Sequence, residues 1–296
     1  MSQIYHTDMA DVSRYVDALL YETNLELSKP QRLVVEEVFS SMNEETLMHS
    51  LNCVKFANEY IQRYNESGNS FESDFKISEQ DFMLGMAIHD VGKTKIAKEI
   101  LEYDGKYNEE QRNIINMHAD PNNGLSIIAL NECLDRVNAR EKTSYSLREA
   151  GFSTDATDIS IYHHAKRLNC PGMKDYIAAA AIVDVSEAAS ANRKYFQATI
   201  QPNYNEDEAK KEALKNAVNW AKGDTEAFFK SARKENDTES HRILGILNDF
   251  VHDVTNNNSR FFQDAFGQEH ENFVAMENIK NLEKDLNLEQ DMDIQF

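Results

Sequence analysis

Little in this chain can cross-link or kink it. Its 296 residues include 3 cysteines, 4 prolines and 10 glycines. Cys53, Cys133 and Cys170 are odd in number and form no C-x-x-C pair, which argues against a disulfide framework or a cysteine-rich zinc site. Scarce proline and glycine, abundant helix formers and the lack of alternating segments predict an all-α fold. Basic residues are also in deficit: 31 Lys and Arg against 51 Asp and Glu leave a net charge of −20. Such an acidic surface repels DNA and RNA, so long nucleic acid is not an expected partner. A small anionic substrate is not excluded, because bound metal ions reverse the sign locally. No apolar run reaches the length of a membrane span, so no membrane partner is expected. The first residues, MSQIYHTDMADVSRY, have neither a basic n-region nor an apolar h-region, and a cytoplasmic location is expected.

What is present is concentrated around Gly85–Lys93, GMAIHDVGK. The apolar run Phe82–Ile88 ends in His89-Asp90, and Ser78 with Asp81 has the spacing of a helix N-cap. The pattern predicts a buried helix over Ser78–Asp90, ended by Gly92 as a residue tolerant of positive φ. A carboxylate near a helix C-terminus requires positive charge close by, which a metal ion would supply.

Residues Asp8–Met42 read as two helices, with Val12, Val16, Leu19 and Leu20 on one face of the first and Pro30 opening the second. Asn43 caps a helix to Tyr64, in which Glu45 and His49, four apart, project from one face. Tyr64–Lys76 reads as a surface loop. A short helix over Lys93–Ile100 and a turn at Asp104-Gly105 follow. Asn108 caps a helix over Glu109–Met117 that delivers His118. Gly124–Leu130 is helical, and Arg136–Thr154 reads as a charged, aperiodic helix-loop excursion. Thr157–Lys166 carries His163-His164, adjacent imidazoles that point about 100° apart on a helix and so serve two neighbouring metals rather than one. Asp175–Tyr195 is a long alanine-rich helix holding Asp184, a carboxylate in an apolar stretch that needs a cation. Glu206–Trp220, Thr225–Lys234, Ser240–Val254 and Glu271–Leu288 read as amphipathic helices. The stripe Met276, Ile279, Leu282 and Leu286 suits a core, an oligomer seam or a protein partner's surface. The expected organisation is N-terminal helices (1–42), a core (43–200) and a C-terminal helical extension (201–296).

Glu45, His49, His89, Asp90, His118, His163, His164 and Asp184 thus form a candidate ligand set of nitrogen and oxygen donors without thiolate. Such a set suits Fe or Mn, and less selectively Zn or Mg. Eight ligands exceed the needs of one ion and fit two or three divalent ions sharing a carboxylate.

The order and spacing of these residues resemble the HD-GYP family, a branch of the HD superfamily of metal-dependent phosphohydrolases. HDVGKTKIAKEILEYDGKYNEEQ is similar to that family's HD-x-GK segment and downstream PGK-like turn, His163-His164 to its double histidine, and VDVSEAASANRKY to its VADVFDALTS-DRPY segment. The resemblance covers about Glu45–Tyr195. One loop departs: HHERWDGSGYP is replaced by HHAKRLNCPGM, His163–Met173, without the GYP triplet. The resemblance implies an HD-type helical core in which Asp90 spans two metals and Glu45 adds a ligand for a third. It implies hydrolysis of cyclic di-GMP to pGpG or GMP by metal-activated hydroxide attack on phosphorus. Lys93 would neutralise the phosphoryl oxygens, and Arg193 would hold substrate. Two alternatives stand beside this expectation: a phosphohydrolase of another cyclic dinucleotide or nucleotide, and a catalytically weak nucleotide-binding signalling protein. A homodimer or a protein partner through the C-terminal helices is compatible with each.

Overall fold

The computed structural model describes residues 8–103, 105, 107–164, 170–190 and 206–255. Among them every regular element is helical and no strand occurs, as the composition predicts. The α-helices are α1 (Met9–Glu22), α2 (Lys29–Ser40), α3 (Glu44–Glu66), α4 (Phe71–Phe75), α5 (Glu79–Ile88), α6 (Lys98–Leu101), α7 (Glu109–Asn116), α8 (Leu125–Glu141), α9 (Thr154–Tyr162), α10 (Asp175–Ser190), α11 (Glu206–Ala232) and α12 (Thr238–Thr255). Two 3₁₀ turns, Val91–Lys95 and Met117–Ala119, follow α5 and α7. The helices up to Val251 belong to one compact unit; the remainder, His252–Phe296, is described only as far as Thr255. No helix among the described residues is long and apolar enough to cross a membrane.

The caps lie where local chemistry puts them. Ser78 Oγ accepts from Asp81 N at 3.0 Å, and Asn43 Oδ1 accepts from Thr46 N at 2.9 Å. Ser28 with Gln31, and Asn108 with Gln111, form reciprocal capping boxes that satisfy otherwise orphaned donors. α3, α5 and α10 pack together with α9 at the centre, and α11 lies along α10, where Ala189 and Ala217 are both fully buried. The small side chains of α10 permit that close approach. α1 and α2 pack on α3, α5 and α8. There Glu37, buried on α2, takes Arg136 Nε at 2.6 Å and Arg140 Nη1 at 2.8 Å. Burial pushes the Glu37 carboxyl up, but the two guanidinium groups outweigh it and hold the group below its usual value.

Several boundaries differ from the sequence expectation. α8 extends past Leu130 to Glu141 and forms the helical part of the expected helix-loop excursion, with Arg136 and Arg140 facing Glu37. Tyr64–Lys76 is not all loop. α3 continues to Glu66, and α4 buries Phe71 and Phe75 against Tyr60 and Tyr64, each buried aromatic contributing about 1.5–3 kcal/mol. In place of one helix over Lys93–Ile100, a 3₁₀ turn precedes α6, and Ile96 between them is extended. One helix, α11, replaces the two expected over Glu206–Lys234. Gly223 does not break it, since a glycine costs only about 1 kcal/mol in a helix and packing on α10 overrides that. The expected Glu271–Leu288 helix and its apolar stripe lie outside the described residues, as does the end of the predicted helix beyond Ser190.

Gly92 also acts differently from the expectation. It does not adopt positive φ; it lies inside the 3₁₀ turn Val91–Lys95. Its role is close approach. A Cβ there would overlap the carbonyl oxygen of His118 and lie 2.8 Å from Ser126 Oγ, itself seated between the carbonyls of His118 and Ser160. Gly92→Ala should therefore lower the unfolding free energy in urea by roughly 1–3 kcal/mol, the range for overpacking a tight site. Wild-type stability in that variant would show that the contact is not close.

Candidate metal centre

Five helix segments deliver the site. α3 presents His49, with Asn52 and Cys53 three and four residues on, along one face. α5 stops at Ile88, so His89 and Asp90 stand at its buried end, with Lys93 in the turn that follows. The 3₁₀ turn after α7 carries His118, α9 ends at His163-His164, and α10 supplies Asp184 and Glu187 from one face. His49, His89, Asp90, His118 and His163 are each exposed by 1 % or less.

Three of the imidazoles are oriented alike. Nδ1 of His89 donates to Met86 O at 2.7 Å, that of His118 to Ile115 O at 2.5 Å and that of His163 to Ile159 O at 3.0 Å. A carbonyl only accepts, so these Nδ1 atoms hold a proton, and where the ring is neutral a bare Nε2 lone pair turns inward. Burial, above the opposing effect of Asp90, lowers the His89 pKa. Burial, followed by the neighbouring His164, His89 and His118, holds His163 well below its usual value. Both rings are thereby kept neutral.

The Nε2 atoms gather in two groups about one carboxylate. His49 and His89 Nε2 are 3.2 Å apart, and each is 3.6 Å from Asp90 Oδ2. His118 and His163 Nε2 are 3.3 Å apart and lie 3.0 and 3.8 Å from Asp90 Oδ1. Asp184 spans the groups too: Oδ1 is 2.9 Å from His49 Nε2, and Oδ2 is 3.3 Å from His164 Nε2. Lone pairs facing lone pairs and carboxylate oxygens at these separations repel unless positive charge lies between them. The buried Asp90 Oδ1 receives no hydrogen bond among the described residues. His118 Nε2 lies 3.0 Å from it. These are the surroundings of divalent-ion ligands, and the donors of His89, Asp90 and His163, and of His118, His163 and His164, lie close enough to share an ion.

Asp90 has one positive neighbour already. Lys93 Nζ sits 2.5 Å from Oδ2. Burial raises the Asp90 carboxyl, but Lys93 first, then His89 and His118, outweigh it and hold the group well below the carboxylate range. Asp184 is likewise raised by burial and lowered further by His164 and His49, and remains anionic.

The structure brings seven of the eight proposed ligands together. Glu45 is exposed, one turn before His49 at the N-terminal end of α3, and belongs to none of the clusters. Four-residue spacing puts two side chains on one face, but it does not say where that face leaves the interior. His163 caps α9 and His164 lies beyond it; their ring centroids are 4.5 Å apart, and His163 falls both in a cluster with His118 and His164 and in one with His89 and Asp90. Arg193 lies outside the described residues. Three neighbours were missed. Glu187 Oε2 accepts from His49 Nδ1, Asn52 Nδ2 donates to Glu187 Oε1 at 3.2 Å, and Cys53 Sγ is 3.6 Å from His49 Nδ1. Burial pushes the Cys53 thiol up to about 12. The signal for Glu187 was its three-residue spacing from Asp184. His164, its side chain 23 % exposed, opens onto a cleft of about 740 Å³ lined also by Glu109, Glu110, Asn113 and Asp120.

Ions held there would stabilise the fold. Each Mn²⁺ bound to the native state at a hundred times its dissociation constant should add about 2.7 kcal/mol. Thermal melts of chelator-treated protein should therefore shift upward on adding Mn²⁺ or Fe²⁺. An unchanged melting temperature at saturating metal would mean that the pockets hold no ion.

No protein-family model, curated protein or solved structure matches this chain.

Proposed function

We propose that this protein is a metal-dependent phosphodiesterase of the HD-GYP type, acting on a cyclic dinucleotide such as cyclic di-GMP. The observation that carries the reading is the Asp90 carboxylate, whose two oxygens face two separate pairs of imidazole nitrogens. His49, His89, Asp90 and Asp184 would hold one ion, and Asp90, His118, His163 and His164 the other. With Glu45 exposed and outside the clusters, two ions account for the ligands, and nitrogen and oxygen donors favour Fe or Mn. Divalent ions held there supply Lewis acidity toward a phosphoryl oxygen and a water acidified enough to attack phosphorus near neutral pH.

The chain's own groups do the rest. The carbonyl-bound Nδ1 atoms fix the ring orientations before any ion arrives. Lys93, anchored at Asp90 Oδ2 with its side chain 17 % exposed, places a cation where charge gathers on the phosphoryl oxygens. A second reading, hydrolysis of another nucleotide, is favoured by the cleft beside His164. Among the described residues the lining holds three carboxylates and no lysine or arginine, which disfavours a substrate bearing several uncompensated charges.

Anaerobically reconstituted protein should contain two ions per chain and, under reducing conditions, cleave at least one member of a panel of cyclic dinucleotides and mononucleotides. Asp90→Ala should lose metal and activity together. Lys93→Ala keeps every ligand, so its metal content should match the wild type while turnover falls roughly 10²–10³-fold. A metal-loaded wild type that cleaves nothing in the panel would leave a nucleotide-binding regulator as the function.

A further inference from the structure

His49 is oriented unlike its neighbours. His89, His118 and His163 each give their Nδ1–H to the carbonyl of a residue three or four positions earlier. These acceptors come with any helix end and are uncharged. His49 lies inside α3, where backbone carbonyls are taken up by the helix itself. Its Nδ1 faces the Glu187 carboxylate instead, 138 residues away on α10. Glu187 is 7 % exposed, and Asn52 Nδ2 fixes its second oxygen at 3.2 Å.

We propose that Glu187 is a positioning residue for the metal centre. It holds the His49 proton on Nδ1, turns Nε2 toward Asp184 and Asp90, and strengthens that nitrogen as a donor. Asn52 keeps the carboxylate from rotating away. The inference rests on the binuclear reading of the site. It adds that the two ion pockets are built differently: one has a ligand backed by a full negative charge, whereas the three imidazoles held by carbonyls have only dipoles behind them. Three features support it. A buried carboxylate needs a partner, and His49 Nδ1 supplies one. The contact between His49 Nε2 and Asp184 Oδ1 at 2.9 Å requires positive charge between the two atoms, from an ion or from a proton on a cationic ring. A carboxylate behind the ring favours both. Finally, Asp184 and Glu187 stand one turn apart on α10, so a single helix presents the oxygen that would share the ion with His49 and the oxygen that aims His49 at it.

The test is Mn²⁺ binding, followed through the electron paramagnetic resonance of free Mn²⁺, with full-length wild type, Glu187→Gln and Glu187→Asp. Glu187→Gln keeps the shape and removes the charge. It should weaken one of the two ions by about 10–100-fold, the range for loss of a partner behind a metal-bound histidine, and leave the other near its wild-type affinity. The metal-free melting temperature should stay close to wild type, which separates aiming of a ligand from general support of the core. Glu187→Asp should recover part of the affinity, and it serves as the measured variant if the glutamine form does not fold. Two wild-type ions with equal affinity in Glu187→Gln would overturn the positioning role while leaving the metal centre intact. Two ions weakened equally, with a lower metal-free melting temperature that Asp does not restore, would overturn it in favour of a packing role. A wild type that takes up no Mn²⁺ would instead remove the binuclear reading, and the role of Glu187 with it.

Discussion

A single buried carboxylate sets the constraint on this structure. Asp90 is withdrawn from water at the end of α5, where the helix dipole disfavours an anion, with Nε2 atoms on both sides. One lysine compensates Oδ2, and Oδ1 faces His118 and receives no hydrogen bond among the described residues. An uncompensated buried charge is destabilising by several kcal/mol, so such an arrangement calls for further positive charge. Divalent ions bound there would supply it with the ligands already in place.

The rest of the fold can be understood as delivering those ligands. Gly92 and Ser126 bring the turn after α5 against the His118 carbonyl, which fixes the distance between the two histidine pairs. At Gly85 a Cβ would lie 2.5 Å from Ile159 Cδ1 and 3.1 Å from the Ala156 carbonyl, so glycine lets α5 and α9 approach and sets His89 near His163. The alanines of α10 let it sit close enough to α3 for Asp184 and Glu187 to reach His49. Most of the imidazoles are aimed by backbone at helix ends, a rigid support that requires no further side chain.

Much of this was legible in the sequence. Low glycine and proline content and helical periodicity give the all-α class, and caps at Asn43, Ser78 and Asn108 mark true helix starts. His49, His89, Asp90, His118, His163, His164 and Asp184, singled out at helix ends and on core-facing helices, lie near one another in the fold. What was not legible depended on three-dimensional context. Glu45 shares a helical face with His49, and its exposure one turn before it appears only in the fold. Glu187 looked like one more acidic residue until α10 was placed against α3. The pairing of Arg136 and Arg140 was not legible because their partner, Glu37, is some hundred residues away. Gly92 was noticed as a glycine, but close approach rather than positive φ explains it.

The central claim is that Asp90 joins two ion sites. The most direct measurement is anomalous diffraction at the manganese or iron edge from crystals of anaerobically reconstituted protein. The account predicts two peaks flanking the Asp90 carboxylate, about 3.5–4 Å apart as in two-metal hydrolytic sites, one beside His49 and His89 and the other beside His118, His163 and His164. A single peak, or peaks away from Asp90, would contradict it.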